Sequence, residues 1–325
     1  MRRSKVEGIL YIYDILLNGG TVKKNEVALK FNVSDKTISR YINDIRTYIA
    51  NERKQWDIVY SRKKGGYVLN RDKDKFLTKE DVLAIIKVLL GTRGFNKNEI
   101  EDLVEKLLEL CVYEDRFYLK NTIGNELYNY SSPKHNEELI NKIWDITYSI
   151  DHHNKLQIEY SKLGQDGKLV KSLGKKVLYP QGLLFSEYYF YLIAYIEGKD
   201  YKDPTIFRLD RINKYKILSD RFRVEYKNRF EEGQFRDRIQ FMQSGKIENI
   251  KFRFTGDSIE AVLDRLPNAK VVEENKGEYI INATTHKKGI IMWLLSQGRA
   301  IEVLSPNELR EDIIEIIEGM LKKYA

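Results

Sequence analysis

The first 45 residues place apolar and polar side chains with the period of amphipathic helices. Residues 5–17 carry an apolar stripe at three- and four-residue spacing, and Asn18-Gly19-Gly20 ends it. A second, shorter helix is predicted to begin at Thr21 and a third at Ser34, because both residue types cap helix N-termini. The third helix places three isoleucines on one face: Ile38, Ile42 and Ile45. Helix, short turn and helix at these lengths predict a helix-turn-helix.

The opposite face of the third predicted helix is polar, with short donors and a single arginine: Lys36, Thr37, Ser39, Arg40 and Asn43. Such side chains suit base edges and phosphates in a major groove. Strand-like runs follow at residues 56–60 and 67–69, which predicts a β-hairpin. Its tip holds two glycines and three cations: Arg62, Lys63 and Lys64. A basic tip of this kind contacts backbone phosphate or the minor groove, so residues 1–75 are predicted to be a DNA-binding domain.

Residues 78–152 read as helical, and residues 76–153 are predicted to be a helical connector or dimerisation region. Thr78, followed by acidic residues, predicts a helix start, and residues 97–111 predict a second helix. The segments at 113–130 and 136–152 are less regular. His152 and His153 diverge on a helix and lack a third ligand at suitable spacing, so no metal site is predicted there.

Residues 154–229 alternate in the manner of about five short strands, which predicts a small β-barrel. Tyr188–Tyr195 is an aromatic strand. In the run Phe207–Ile212, alternation puts Arg208 and Asp210 on one face and Arg211 on the other. Arginines beside a strand of tyrosines predict a cationic, aromatic-walled site, because Arg offers a fork of donors for phosphate and Tyr offers a stacking face.

The remaining residues divide into a charged stretch and a segment that contains both strands and helices. Residues 230–246 are predicted to be a linker. Residues 247–325 predict the order βαββαβ followed by a final helix from about residue 307 to 323, which is the ferredoxin-like order. The overall fold class is therefore a multidomain α+β protein.

Charge separates the first domain from the rest of the chain. The net charge is +8, and residues 1–75 hold 17 Lys/Arg against 9 Asp/Glu, whereas the remainder holds 39 of each. A basic domain on a neutral body indicates that the first part meets a polyanion.

Composition and motifs limit the other classes of protein to which the chain could belong. No apolar run is long enough to span a bilayer, and no signal-peptide pattern begins the chain, so a cytoplasmic protein is expected. Cys111 is the one cysteine, which excludes an internal disulfide and a cysteine-based metal cluster. The chain lacks a nucleophile elbow, a P-loop, a HExxH motif and a Rossmann glycine pattern, so neither an enzyme nor a cofactor is predicted.

Three blocks of the barrel segment resemble the WYL domain, a small Sm-like β-barrel of bacterial regulators. They are Tyr179-Pro180-Gln181-Gly182-Leu183, the triplet Phe190-Tyr191-Leu192 and Phe207–Ile212. Phe190 departs from the tryptophan of the family name. The N-terminal domain resembles the winged helix-turn-helix of DeoR-like regulators, and residues 247–325 resemble the WCX extension that follows many WYL domains.

The resemblance implies a sensor for nucleotides or single-stranded nucleic acid. The candidate ligand residues in the barrel are Tyr179, Ser186, Tyr191, Arg208 and Arg211. Arg208 and Arg211 match the family block directly, although Asp210 lies near enough in sequence to pair with either of them. Arg253 and Arg299 are second contributors from the extension.

These expectations combine into a ligand-responsive, DNA-binding transcriptional regulator that acts as a homodimer on a double-stranded operator. The alternative is a nucleic-acid-binding accessory protein of a phage-defence system that controls no promoter. The operator sequence, the effector and the direction of control do not follow from the residues.

Overall fold

The computed structural model describes residues 4–52, 56–70, 77–135, 137–164, 169–171, 174–199, 204–223, 230–243 and 245–325. The chain divides into two units, Met1–Ser132 and Pro133–Ala325. The predicted boundary at residues 75 and 76 falls outside the described residues, as does residue 229 at the end of the predicted barrel. No helix in the described ranges combines the length and the apolar character needed to cross a bilayer.

The first unit begins with three helices and a hairpin: α1 (Lys5–Leu17), α2 (Lys24–Phe31), α3 (Asp35–Glu52), β1 (Asp57–Ser61) and β2 (Gly66–Asn70). A capping box begins α1, because Ser4 Oγ accepts from the Glu7 N–H and the Glu7 carboxylate accepts from the Ser4 N–H. The predicted start of the second helix at Thr21 is wrong, since Val22 is extended and pairs with Tyr67 of β2. The predicted cap at Ser34 is confirmed, because its Oγ accepts from the Thr37 N–H.

The hairpin is held against the helices by backbone contact. Val22 and Tyr67 exchange two N–H···O bonds of 2.8 Å each. Gly66 permits this approach, since a Cβ there would lie 2.7 Å from the Val22 carbonyl oxygen and 2.7 Å from Thr21 Cγ2. The apolar faces of the helices and Ile58 of β1 form one buried core.

Three further helices complete the first unit: α4 (Lys79–Thr92), α5 (Lys97–Glu109) and α6 (Tyr113–Tyr128). The predicted start at Thr78 is confirmed, because its hydroxyl accepts from the Asp81 N–H while the Asp81 carboxylate accepts from the Thr78 N–H. The region predicted to be less regular contains the 16-residue helix α6, whose Leu119 and Ile123 pack into a shared core with α4 and α5.

The second unit begins with α7 (Ile140–Asp151) and a sheet built from six strands: β3 (Asn154–Leu163), β4 (Leu169–Lys171), β5 (Lys176–Ser186), β6 (Tyr189–Ile196), β7 (Thr205–Arg208) and β8 (Ile212–Arg221). The strand order is β4-β3-β5-β6-β7, with β8 also pairing with β3. In the described residues β7 pairs only with β6 and β8 only with β3, so these strands form no closed barrel, contrary to the prediction.

A short 3-10 turn follows β7. It explains the open sheet, and it also contradicts the strand predicted over Phe207–Ile212. Leu209–Arg211 forms this turn, so the strand predicted over Phe207–Ile212 ends at Arg208. Phe207, Leu209 and Ile212 are all buried in the same core. The predicted alternation of faces is therefore wrong, because the turn carries the chain from β7 to the β3 edge.

The segment predicted to be a linker contains helix α8 (Glu232–Arg238) and packs on the sheet. Ile239 and Met242 bury their side chains against Leu184 and Ile193. Apolar residues on this charged stretch thus cover one face of β5 and β6.

The last residues form a four-stranded antiparallel sheet with helices on one face: β9 (Ile247–Phe254), α9 (Ile259–Arg265), β10 (Lys270–Asn275), β11 (Glu278–His286), α10 (Lys287–Ser296), β12 (Ile301–Ser305) and α11 (Asn307–Leu321). The strand order is β10-β11-β9-β12, and all pairs are antiparallel. Phe252 and Trp293 lie edge to face in the core between sheet and helices. This is the βαββαβ order expected from the sequence.

Candidate functional site

Helix α3 presents one apolar face to its own core and a polar face to solvent. Ile38, Ile42 and Ile45 are buried, whereas Lys36, Arg40 and Asn43 are exposed and Thr37 and Ser39 are half-buried. The period of 3.6 residues separates the two sets, as the sequence predicts. The five polar residues therefore lie together along one side of the helix.

Arg46 fixes α3 against the hairpin. Its guanidinium donates to Asn43 Oδ1 at 2.8 Å and to the Ile58 carbonyl at 2.8 Å, with Asp57 at 3.6 Å. These bonds orient the Asn43 amide and join the helix to β1. Arg46 was not predicted to be a site residue, because its role depends on the register of a strand twelve residues later.

The hairpin tip carries exposed cations. Arg62, Lys63 and Lys64 lie in the turn between β1 and β2 and are exposed, and Gly65 has a φ of +66°. Within the described residues, no ion pair engages these three side chains or those of Lys36 and Arg40. The tip and the polar face of α3 thus hold five cations that are available to a polyanion.

In the second unit, the sheet register brings Tyr191 of β6 directly opposite Arg208 of β7. Arg208 also binds Asp210 in a bidentate pair, with Nε–Oδ1 at 3.0 Å and Nη2–Oδ2 at 2.7 Å. The Asp210 side chain is 4% exposed and the Arg208 side chain 21%. An extended strand would also put Asp210 on the same face as Arg208. The 3-10 turn adds a bend that brings the Asp210 carboxylate back against the Arg208 guanidinium.

The guanidinium of Arg208 lies on an aromatic ring. Its Cζ is 3.3 Å from the centroid of Tyr189, a contact that combines stacking with cation–π attraction. Tyr189 meets Tyr191 edge to face at 6.3 Å and Tyr188 at 6.4 Å. The candidate site is therefore an ion pair set among three tyrosines.

His135, in the segment before α7, completes the cluster. Its ring lies 6.2 Å from that of Tyr189, and its Nδ1 accepts from the Glu137 N–H. Burial lowers the pKa of His135, and the nearby Arg208 acts in the same direction while Asp210 opposes it. The imidazole is thus held mainly neutral near pH 7.

Asp210 stabilises the charged form of Arg208. Burial lowers the pKa of Arg208, but the hydrogen bonds and the charge of Asp210 outweigh it and raise that pKa. Lys142 of α7 lies beneath the turn and donates to the carbonyls of Leu209 and Ile212. The turn that carries Asp210 is therefore anchored from below.

Tyr179 lies away from this cluster. It pairs with Tyr195, near the opposite end of β5 from Leu184, the residue that faces Tyr191. Its hydroxyl donates to Glu197 at 3.0 Å, its ring stacks on Phe222, and Lys155 Nζ lies over the ring at 5.6 Å from its centroid. The structure therefore does not bring Tyr179 together with Arg208.

Ser186 and Arg211 flank the cluster. Ser186 pairs with Tyr189 and also lines a cavity of about 220 Å³ with Arg236 and Arg265. Arg265 forms an ion pair with Glu187 at 3.3 Å. Arg211 ends the 3-10 turn and is half-buried, close to the hydroxyl of Tyr160.

The two arginines predicted from the C-terminal segment lie in the other sheet. Arg253 of β9 is paired with Glu302 at 2.5 Å and Glu278 at 3.8 Å. Arg299 is exposed in a 3-10 turn before β12. Neither contacts the Arg208 cluster in the described residues, so both stay predictions without structural support.

Sequence reasoning missed Tyr189 and His135 as site residues, and it left open whether Asp210 pairs with Arg208 or with Arg211. Tyr189 had a usable signal, since it lies two residues from Tyr191 and strand alternation puts both on one face. His135 had none, because only the tertiary fold brings it to the sheet. Within the described ranges, no group of three or more His, Cys, Asp or Glu side chains is arranged to hold a metal ion.

Comparison with known proteins gives two family matches. Residues 144–217 match the WYL domain family, and residues 246–321 match the WCX domain family. No curated protein matches the chain.

The solved structures that the chain matches include two at low sequence identity. The chain is 15% identical to proteasome accessory factor B/C (PafBC) of Arthrobacter aurescens, with a TM-score of 0.28, and the match covers 99% of this chain and 49% of that one. It thus spans about half the length of that protein. It is 16% identical to a CRISPR Cas-related protein, with a TM-score of 0.39, and covers 92% of it.

Proposed function

We propose that this chain, which contains a WYL domain followed by a WCX domain, is a transcriptional regulator. It binds duplex DNA through its N-terminal unit and senses a nucleotide or single-stranded nucleic acid through its WYL domain. The observation that carries the proposal is the basic face formed by α3 and the hairpin tip. Five of its cations lack an ion-pair partner among the described residues, and a polar helix face beside them suits a major groove.

The N-terminal unit supports this assignment by its construction. Three helices and a hairpin docked through Val22 and Tyr67 support a winged helix-turn-helix. In that arrangement the second helix of the motif enters the groove and the wing reaches the backbone. Here those elements are α3 and the β1–β2 tip, which carry the predicted DNA-binding residues.

The WYL domain supplies the sensing half of the proposal. Its cluster of Arg208, Tyr189, Tyr191 and His135 presents a charged plane and aromatic rings, which are the groups that recognise nucleotides. In a homodimer, effector binding would favour one arrangement of two DNA-binding units and so change their fit to two half-sites.

Footprinting on genomic duplex DNA tests the DNA-binding half of the proposed function. The full chain is expected to protect one discrete site in the DNA upstream of its own gene, and Arg40→Ala is expected to lose that protection while keeping its folded-state circular dichroism. Lys106→Ala is the matched control, since Lys106 is an exposed cation of α5 paired with Asp102 outside the proposed face. Uniform weak protection together with tight binding of single strands would instead support the accessory protein of a defence system.

A further inference from the structure

The C-terminal sheet has helices on one face, and its other face carries a row of polar side chains. The strand register aligns Lys270 of β10 with Asn282 of β11, and Asn282 with Lys251 of β9. Lys251 is aligned in turn with Ser305 of β12. Residues directly opposite each other in antiparallel strands share one face of a sheet. These four residues, the cationic row, therefore cross all four strands and place an amide between two ammonium groups.

The neighbouring row on the same face has its charge compensated within the chain. Arg253 of β9 lies opposite Glu302 of β12 and forms an ion pair with it at 2.5 Å. In the cationic row, by contrast, Lys270 has no ion-pair partner within the described residues. Lys251 Nζ lies 3.7 Å from the carboxylate of Glu273, which is mostly exposed and beyond hydrogen-bond distance. The cationic row thus keeps positive charge that the chain does not fully neutralise.

A cavity of about 470 Å³ lies over the cationic row, and all four residues of the row line it. Asn249, Asn268 and Thr284 form a polar wall beside the row. Ile250 and Ala283 also line the cavity, although their side chains belong to the core on the helix side of the sheet. Among the described residues, no acidic or aromatic side chain lines this space. The cavity therefore offers positive charge and hydrogen-bonding groups without a carboxylate that would repel an anion.

Hydrogen bonds within the chain decide which of these groups remain for a ligand. Asn268 is bonded at both ends of its amide, because its Nδ2 donates to the Asp237 carbonyl at 2.6 Å and its Oδ1 accepts from the Thr284 N–H at 2.8 Å. The Thr284 hydroxyl donates to Asn249 Oδ1 at 2.6 Å, which leaves Asn249 Nδ2 as a donor. The Asn282 side chain has no hydrogen bond within the described residues. Two amides and two ammonium groups are therefore available.

This set of groups suits a small molecule that joins an oxyanion to hydroxyl groups. Lys251 and Lys270 lie two strands apart, about 10 Å at the backbone, and their long side chains can converge on one phosphate. Amide groups and the hydroxyls of Thr284 and Ser305 both donate and accept, as the hydroxyls of a polyol require. The cavity is of the size of small-molecule sites and exceeds a bare phosphate. A nucleobase would find no aromatic ring or guanidinium plane among the lining residues on which to stack.

We infer that the face of the C-terminal sheet opposite its helices binds a phosphorylated polyol of the sugar-phosphate class. Lys251 and Lys270 contact the phosphate, and the amides of Asn249 and Asn282 contact the oxygens beside it. The inference goes beyond the proposed function, because the cavity shares no lining residue with the Arg208 cluster and its ligand carries no base.

Isothermal titration calorimetry of the full chain tests the inference. The probes are glucose 6-phosphate and glycerol 3-phosphate, with glucose and inorganic phosphate as the two separate halves of the ligand. Asn282→Asp keeps the shape of the side chain and places a carboxylate between the two lysines. Its matched control is Asn275→Asp, the same substitution at the exposed end of β10 and outside the lining residues. Lys270→Gln is a second variant, which removes one charge from the row.

The wild type is expected to bind both polyol phosphates about tenfold or more tightly than it binds glucose or inorganic phosphate, since each half of the ligand contributes hydrogen bonds. Asn282→Asp and Lys270→Gln are each expected to weaken this binding about tenfold or more, the factor for losing a hydrogen bond to a charged group. Asn275→Asp is expected to bind as the wild type does. Circular dichroism of each variant shows whether it is folded.

Several results would overturn the inference. If the wild type bound neither polyol phosphate, the cationic row would be a solvated sheet face. Glucose bound as tightly as glucose 6-phosphate would exclude the phosphate contact, and inorganic phosphate bound as tightly would exclude the hydroxyl contacts. Equal losses in Asn282→Asp and Asn275→Asp would place the ligand elsewhere on the chain.

A nucleic-acid ligand on the same face would also contradict the inference. In that case Asn282→Asp would weaken the binding of a ten-nucleotide oligothymidylate more than that of glucose 6-phosphate. None of these titrations contains duplex DNA, so their failure is distinguishable from a failure of the proposed operator binding.

Discussion

The salt dependence of duplex binding follows from the cations on α3 and the hairpin tip. Removing two of these cations in the double variant Lys63→Ala/Lys64→Ala should make the slope of log affinity against log salt less steep. Both side chains are exposed in the turn and have no ion-pair partner among the described residues, so their removal leaves no buried charge behind.

The magnitude comes from counting phosphate contacts. Five unpaired cations per copy predict a slope of about −4.5 for log affinity against log salt on a half-site, at about 0.9 per contact. Affinity should then fall about 500-fold between 50 and 200 mM salt. With two contacts removed, the slope becomes about −2.7 and the loss about 40-fold.

Fluorescence anisotropy on a labelled half-site duplex measures both slopes. The double variant Lys106→Ala/Lys120→Ala is the control, because it removes the same charge from lysines of α5 and α6 that are paired with acidic side chains. The control should keep the wild-type slope. If the hairpin variant also kept it, the tip would not contact phosphate and the reasoning about the basic face would be refuted.

Two further predictions concern stability. Gly66→Ala should lower the unfolding free energy of the N-terminal unit by about 1–3 kcal/mol in urea titrations, because the new methyl group overlaps the Val22 carbonyl. The control is Gly91→Ala, whose methyl group meets nothing within 4 Å and should not destabilise the unit. Equal behaviour of the two variants would contradict the close contact at Gly66. Burial and the hydrogen bond to Asp145 raise the pKa of Tyr215 to about 12, above its unfolded value, so the stability it adds is complete below about pH 10 and is lost as the pH rises towards 12. The stability gap between wild type and Tyr215→Phe should therefore narrow between pH 10 and 12, and a constant gap would be inconsistent with this shift.

The elements that the sequence predicted well have local causes. Helix α1 follows from a capping box at Ser4 and an apolar stripe, and the start of α4 follows from Thr78 and Asp81. The C-terminal βαββαβ order follows because strands with alternating residues there are separated by clear helical segments. In each case the signal lies within a few residues of the element it specifies.

The elements that the sequence defined poorly or missed depend on distant contacts. Helix α6 has no sharp apolar stripe, and Leu119 and Ile123 are explained only by their packing on α4 and α5. The strand pattern of Phe207–Ile212 does not reveal the 3-10 turn, because Leu209 and Ile212 are buried by the shape of the sheet core. The segment containing α8 is charged enough to look solvated, yet its few apolar residues cover the sheet.

The candidate site shows the same division. Arg208 and Tyr191 came from sequence blocks, and the register of β6 and β7 places them opposite each other. Tyr179 came from the same reasoning but lies at the other end of β5. The contacts of Tyr189 with Arg208 and of His135 with Tyr189 required the tertiary structure.

The measurement that tests the central claim most directly is anisotropy of a labelled duplex from upstream of the protein's own gene, with and without a short single-stranded oligonucleotide. Coupling between the two sites predicts specific duplex binding whose affinity shifts when the oligonucleotide is added, and a reduced shift in Arg208→Lys. Specific duplex binding that the oligonucleotide leaves unchanged, at concentrations that saturate its own site, would contradict the account.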